Sequence, residues 1–100
     1  MAYYLVETTV TNPNGIESYQ YDSAAQKKIN DFLKSLNLIK KVVRQKVDNN
    51  TMKIFTAFES EAAYQSFMTA CRSNTDWLAR KSTVASQGIS VTESGKVVNA

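Results

Sequence analysis

From Tyr3 to Thr11 the chain alternates between two kinds of position: Tyr4, Val6 and Val10 fall on one side, and Glu7, Thr9 and Thr11 on the other. That is the period of a half-buried strand, and the β-branched and aromatic content suits one. Asn12-Pro13-Asn14-Gly15 follows, where Pro fixes φ and Asn and Gly tolerate left-handed backbone. A reversal there predicts a hairpin, with Ile16 to Tyr21 returning along the first strand.

The period then changes. Ala25, Ile29, Phe32, Leu33 and Leu36 form a stripe at helical spacing, opened by Asp22-Ser23 and ending near Asn37. Ser23 and Gln26 have capping-box spacing. Leu38 to Val47 and Met52 to Glu59 read as two strands joined by Asp48-Asn49-Asn50-Thr51. With Asn49-Asn50 as the loop, Val47 opposes Met52, Gln45 opposes Ile54 and Val43 opposes Thr56. One face of the pair would then carry Lys40, Val42, Arg44, Lys46, Lys53, Phe55, Ala57 and Glu59.

A second helix is expected from an N-cap at Ser60 to about Arg72, with Ala63, Tyr64, Phe67, Met68 and Cys71 along one side. Ser73-Asn74-Thr75 breaks it. A further helical stretch capped by Asp76 runs to about Ser86, anchored by Trp77, Leu78 and Val84, and Gly88 ends it. Ile89 to Thr92 alternate as a strand, and a turn at Ser94-Gly95 sends Lys96 to Val98 back alongside. The order strand, helix, strand, strand, helix, strand is the split βαβ arrangement of ferredoxin-like α+β domains, here with an N-terminal hairpin extension. An antiparallel sheet covered on one face by two helices leaves its other face to water or to a partner.

One hundred residues, 43% of them apolar and 21% charged, make one domain spanning 1–100. A core this small gains from self-association. The net charge of +3 does not by itself select a partner. The N-terminal apolar run stops at Glu7 without a basic region, so no signal peptide is expected, nor a membrane span. Cys71 is the only cysteine, which rules out an internal disulfide and makes a cytoplasmic setting the expectation. The chain has no histidine. Histidine triads, histidine-ligated haem and ordinary zinc sites are therefore closed to it, and neither a metal nor a cofactor is expected.

Phe58-Glu59-Ser60-Glu61-Ala62-Ala63-Tyr64-Gln65-Ser66-Phe67 resembles the strand-to-helix junction of the dimeric α+β barrel proteins, which include the antibiotic-biosynthesis monooxygenase-like domains. The resemblance implies a homodimer with sheet facing sheet and a pocket between sheet and helices. It also implies, as one activity of the group, cofactor-independent oxygenation of aromatic substrates. Haem degradation, another such activity, lacks its histidine here. The same element order underlies the RNA recognition motif, whose aromatic signature Lys53-Ile54-Phe55-Thr56-Ala57-Phe58 partly resembles. Its glycines are missing, and Ala57 stands where a second stacking aromatic belongs.

Candidate sites follow. Val42, Phe55 and Ala57 are too apolar for a wet face and mark a dimer surface, against the bland reading of scattered exposed residues. Lys40, Arg44, Lys46 and Lys53 around Phe55 form a candidate single-strand nucleic-acid patch, against a solvated lysine-rich face. Tyr19, Tyr21, Tyr64 and Trp77 are candidates to line a pocket for an aromatic small molecule, against core packing. Cys71 reads as core, and Glu61 as a helix-dipole partner. No catalytic residue is identifiable. The sequence favours a homodimeric binding or accessory module, with the oxygenase and nucleic-acid readings as alternatives.

Overall fold

In the computed structural model, which describes residues 2–99, the first strand is the keystone. β1 (Ala2–Thr11) is hydrogen-bonded on both sides, antiparallel to β3 (Thr51–Phe58) and to β4 (Ser90–Asn99). β2 (Ile39–Lys46) pairs with the outer edge of β3, giving one sheet in the order β2-β3-β1-β4. The helices are α1 (Ser23–Leu36), α2 (Glu61–Arg72) and α3 (Thr75–Ser86). This is the expected α+β ferredoxin-like architecture. None of the helices is long and apolar enough to cross a membrane.

Local chemistry sets the element ends. Asp22, not Ser23, caps α1: its carboxylate accepts from the backbone N–H groups of Ala24 and Ala25, which relieves two of the orphan donors of the first turn. Asn37 closes the helix in the left-handed region (φ 52°). Ser60 caps α2 as expected, accepting from Ala63 N at 3.1 Å. Asn74, rather than Asp76, caps α3, accepting from Trp77 N at 2.9 Å.

The helix-facing side of the sheet carries Tyr4, Val6, Thr8 and Val10 from β1 and Met52, Ile54, Thr56 and Phe58 from β3. α2 makes the closest backbone approach to this side, against β1 and β3. Phe58 is buried beneath it, with its ring centroid 5.3 Å from Tyr64 and 5.1 Å from Phe67. Phe67 continues into a cluster of Ile29, Cys71 and Trp77 with Phe32, Leu33 and Met68, which joins the three helices. Apart from the exposed Ala25, the stripes read from the sequence for α1 and α2 are the sides that turn inward.

Three expectations need correction. Ile16 to Tyr21 form no hairpin with β1, because both edges of β1 are already taken. The segment instead makes a short 3-10 turn (Ile16–Ser18) and docks on the β2–β3 loop: Asn12 N donates to Asn50 O (2.8 Å) and Ile16 N to Asn49 O (2.7 Å). Asn12 is buried there, and its side chain bonds Ser18 Oγ and Asn14 N. Secondly, Ser94 and Gly95 are no turn. β4 runs unbroken for ten residues, and Gly95 lies under the ring of Tyr4, where a Cβ would collide with it.

Thirdly, the β2–β3 register is one residue away from the expected one: Lys46 opposes Met52, Arg44 opposes Ile54, Val42 opposes Thr56 and Val43 opposes Phe55. Val47 belongs to the loop, its N–H and that of Asp48 both donating to Thr51 O. A slip of one residue exchanges the faces of every β2 side chain. Val42, Arg44 and Lys46 therefore face the helices, and Lys41, Val43 and Gln45 share the open face with Phe55 and Ala57.

Candidate functional site

The face of the sheet without helices is divided lengthwise. One end carries Tyr3 and Leu5 of β1, Phe55 and Ala57 of β3, Val43 of β2 and Val98 of β4, flanked by Lys41 opposite Ala57 and Lys96 opposite Leu5. The other end is polar, with Thr9, Gln45 and the ion pair Glu7–Lys53 at 3.7 Å. Leu5 and Phe55 are the centre of the surface. They line both a shallow depression of about 470 Å³ with Tyr3, Lys40, Lys41, Val43 and Ala57, and a smaller one of about 230 Å³ with Glu7, Ser94, Gly95 and Lys96. Lys40 reaches the larger one because the β2 ladder is irregular between Ile39 and Lys41.

Of the expected dimer-face residues, Phe55 and Ala57 lie in this apolar end and Val42 does not; its neighbour Val43, 46% exposed, takes the place. Tyr3 and Leu5 were missed. Their signal was present in the alternation of β1, whose open side begins apolar and only turns polar at Glu7.

The expected nucleic-acid patch is dispersed. Lys53 is on the open face and paired with Glu7, while Lys40 pairs with Glu59 (3.9 Å) and Lys46 with Glu17 (3.2 Å). Arg44 and Lys46 point to the helix side of the sheet, away from Phe55. A single-stranded nucleic acid needs cations and a stacking ring on one continuous surface, and these residues do not form one.

The four aromatic pocket candidates do not form one group. Tyr19 and Tyr21 stack on each other at 5.5 Å, Trp77 is buried beside Ile29 and Cys71 with Lys81 Nζ 4.9 Å over its ring, and Tyr64 packs on Tyr4 and Phe58. The Tyr64 hydroxyl donates to Glu93 at 3.2 Å. Burial, and then the Glu93 carboxylate, push its pKa up. Burial also raises the pKa of the Cys71 thiol, so the thiolate is disfavoured and Cys71 acts as core.

One side chain on the helix side was not anticipated. Trp77, Arg80 and Val84 are the inward stripe of α3, continued by its C-cap Gln87, and Arg80 occupies a half-buried place in it. Burial lowers the pKa of its guanidinium; Tyr19 and Cys71 act in the opposite direction, and Arg44 adds to the lowering. The spacing of Arg80, three residues after Trp77 and four before Val84, was its available signal.

The sheet order, the antiparallel register and the one-sided helical layer define a ferredoxin-like α+β domain. No protein family model matches the sequence, and no curated protein matches it. Solved structures do match. A dimeric ferredoxin-like protein from an uncultured marine organism has a TM-score of 0.74 at 12% identity, over 100% of this chain and 98% of that one. The cofactor-independent oxygenase SnoaB of Streptomyces nogalater has a TM-score of 0.60 at 8% identity, over 100% and 94%. A putative antibiotic biosynthesis monooxygenase from Nitrosomonas europaea has a TM-score of 0.59 at 10% identity, over 99% and 89%. At these identities the likeness is one of fold.

Proposed function

We propose that this chain works as a homodimer, in which two copies stack the apolar ends of their open sheet faces, and that the pair serves as a binding or accessory module. The observation that carries the reading is the open face itself, with Tyr3, Leu5, Val43, Phe55, Ala57 and Val98 gathered at one end and the Glu7–Lys53 pair beyond it. An apolar core with a polar rim is the anatomy of an interface.

Area supports the same reading. The chain exposes 6656 Å², against about 5,700 Å² for a folded monomer of this mass. The excess is comparable to the roughly 800 Å² that each partner contributes to a standard interface. The slab is thin, 40 × 29 × 16 Å, and its radius of gyration is 14.0 Å, where about 12.7 Å is usual for this length. A second slab laid on the open face completes the missing layer. The dimeric relative from a marine organism has the same fold and supports pairing as its use.

Sedimentation of the purified chain at micromolar concentration tests this. A mass of two chains is expected, falling to one in Phe55→Lys with the circular dichroism spectrum retained. A wild-type mass of one chain overturns the proposal.

A further inference from the structure

β4 is the last strand of the sheet and pairs on one side only, with β1. Its register with β1 runs without interruption from Ala2–Asn99 to Thr11–Ser90, and it contains no proline. The backbone N–H and C=O groups of its outer edge therefore form one continuous row, which is a template for a further strand. On the helix-facing side that row carries Val91, Glu93, Gly95 and Val97, opposite Val10, Thr8, Val6 and Tyr4. Val91 is 48% exposed and Val97 60%. α2 approaches β1 and β3, and the exposure of both valines places them beyond the cover of the helices. The Glu93 carboxylate is turned toward α2 by the Tyr64 hydroxyl, which donates to it at 3.2 Å. The opposite edge of the sheet, β2, is interrupted between Ile39 and Lys41 and offers no such row.

We infer that β4 pairs antiparallel with β4 of a second copy of this chain, in the register that sets Ser94 opposite the partner's Ser94. Directly opposed residues share a face of the sheet, so the two-fold axis of such a pair passes through a residue and not between two. Val91 and Val97 lie three residues to either side of Ser94. An axis through Ser94 therefore sets Val91 against the partner's Val97 and Val97 against the partner's Val91, and covers the exposed valines in two apolar cross-strand pairs. Glu93 then faces the partner's Gly95, where no side chain obstructs it, and on the other face Lys96 meets the partner's Thr92. The neighbouring registers are poorer. An axis through Glu93 or Lys96 opposes two like charges, which destabilises a strand pair. An axis through Thr92 or Gly95 sets a valine against the partner's Glu93. The pairing joins two four-stranded sheets into one, with the helices on one side and both open faces on the other. It uses a surface distinct from the open face and does not depend on stacking there. One strand edge buries less than the roughly 1,600 Å² of a standard interface, so this contact forms above the micromolar range.

Phe55→Lys, which removes open-face stacking, isolates the edge contact. Sedimentation of this variant is expected to give a mass of one chain at micromolar concentration and of two chains at several hundred micromolar. The register is read by cysteine crosslinking in the same background. Opposed residues of an antiparallel pair have Cα atoms about 4.5–5.5 Å apart, a separation that a disulfide spans. Ser94→Cys is expected to form an intermolecular disulfide on mild oxidation at least about tenfold faster than Thr92→Cys, which lies on the same face but opposite the partner's Lys96. Cys71 is buried and stays out of the reaction. Both substitutions fall at exposed positions, and the mass measurement needs neither of them. A mass of one chain at every concentration overturns the inference, as does crosslinking of Ser94→Cys no faster than that of Thr92→Cys. A wild-type chain that does not stack its open faces leaves both measurements unchanged, so the two proposals fail separately.

Discussion

Phe55 and Phe58 stand three residues apart on the same strand and meet opposite surroundings. Phe58, 1% exposed, is enclosed by Tyr64 and Phe67 beneath α2; Phe55 lies half-exposed at the centre of a face with no helix over it. The two faces of β3 are otherwise alike: every residue from Thr51 to Ala57 is half-buried, whichever way it points. One face is closed over Phe58 by α2, and the other carries apolar side chains with no helix over them. Among the described residues the buried apolar side chains are Val6, Ile29, Phe58, Cys71, Trp77 and Ile89, a small set for a hundred residues. The contrast teaches that the hydrophobic effect acts within the chain on one face and, in the proposed dimer, would act between chains on the other.

The sharpest way to break this comparison is to truncate each ring in turn. Phe58→Ala leaves a cavity under α2 and is expected to lower the unfolding free energy by about 3–5 kcal/mol, seen as a large drop in the urea midpoint. Phe55→Ala should act mainly on the concentration dependence of the mass. Equal losses of subunit stability from the two would erase the distinction between the faces.

Next in size is Gly95→Ala. The new methyl group meets the ring of Tyr4 on the helix-facing side of β4. Overpacking of this kind is expected to destabilise by about 1–3 kcal/mol. In a Tyr4→Ala background the same change should be close to neutral, and a double-mutant cycle by urea denaturation measures the coupling.

The smallest effect is alkaline. Because the folded-state pKa of Tyr64 is raised, the folded chain holds the phenolic proton at pH values where the unfolded chain, with a tyrosine pKa of about 10, has lost it. The unfolded state then binds fewer protons, so stability falls as pH rises above about 10 toward the folded pKa, and is unaffected below. Tyr64→Phe is expected to flatten that decline, as followed by thermal melts between neutral and alkaline pH.

Much of the element order was legible because periodicity is a local property: the stripe of α1 and that of α2 needed no knowledge of their neighbours. What was illegible depended on position in the sheet. Asn12 to Gly15 signals a reversal correctly, but not that β1 is a central strand with both edges occupied, so Ile16 to Tyr21 had to go elsewhere. Ser94-Gly95 has turn composition, yet the glycine serves the close approach of Tyr4, a partner at the other end of the chain. The register of β2 hung on whether Val47 is strand or loop. That single choice moved Val42 out of the candidate dimer face and Val43 into it, and divided the basic residues between the two sides. Arg80 was hidden because an arginine in an apolar stripe looks like a break in the pattern.

The two outer edges of the sheet are unequal. β2 ends the sheet with Lys40, Lys41 and Lys46 and a broken ladder, so a passing strand meets charge and irregular spacing there. β4 presents ten unbroken residues, with Val91 and Val97 exposed. Filament growth by edge-to-edge pairing requires two receptive edges on every subunit, one to join and one to be joined. A chain with a single receptive edge can close into a pair but cannot propagate, so a small, strand-rich protein with a long free strand is protected from fibre formation by the edge at the opposite end of its sheet.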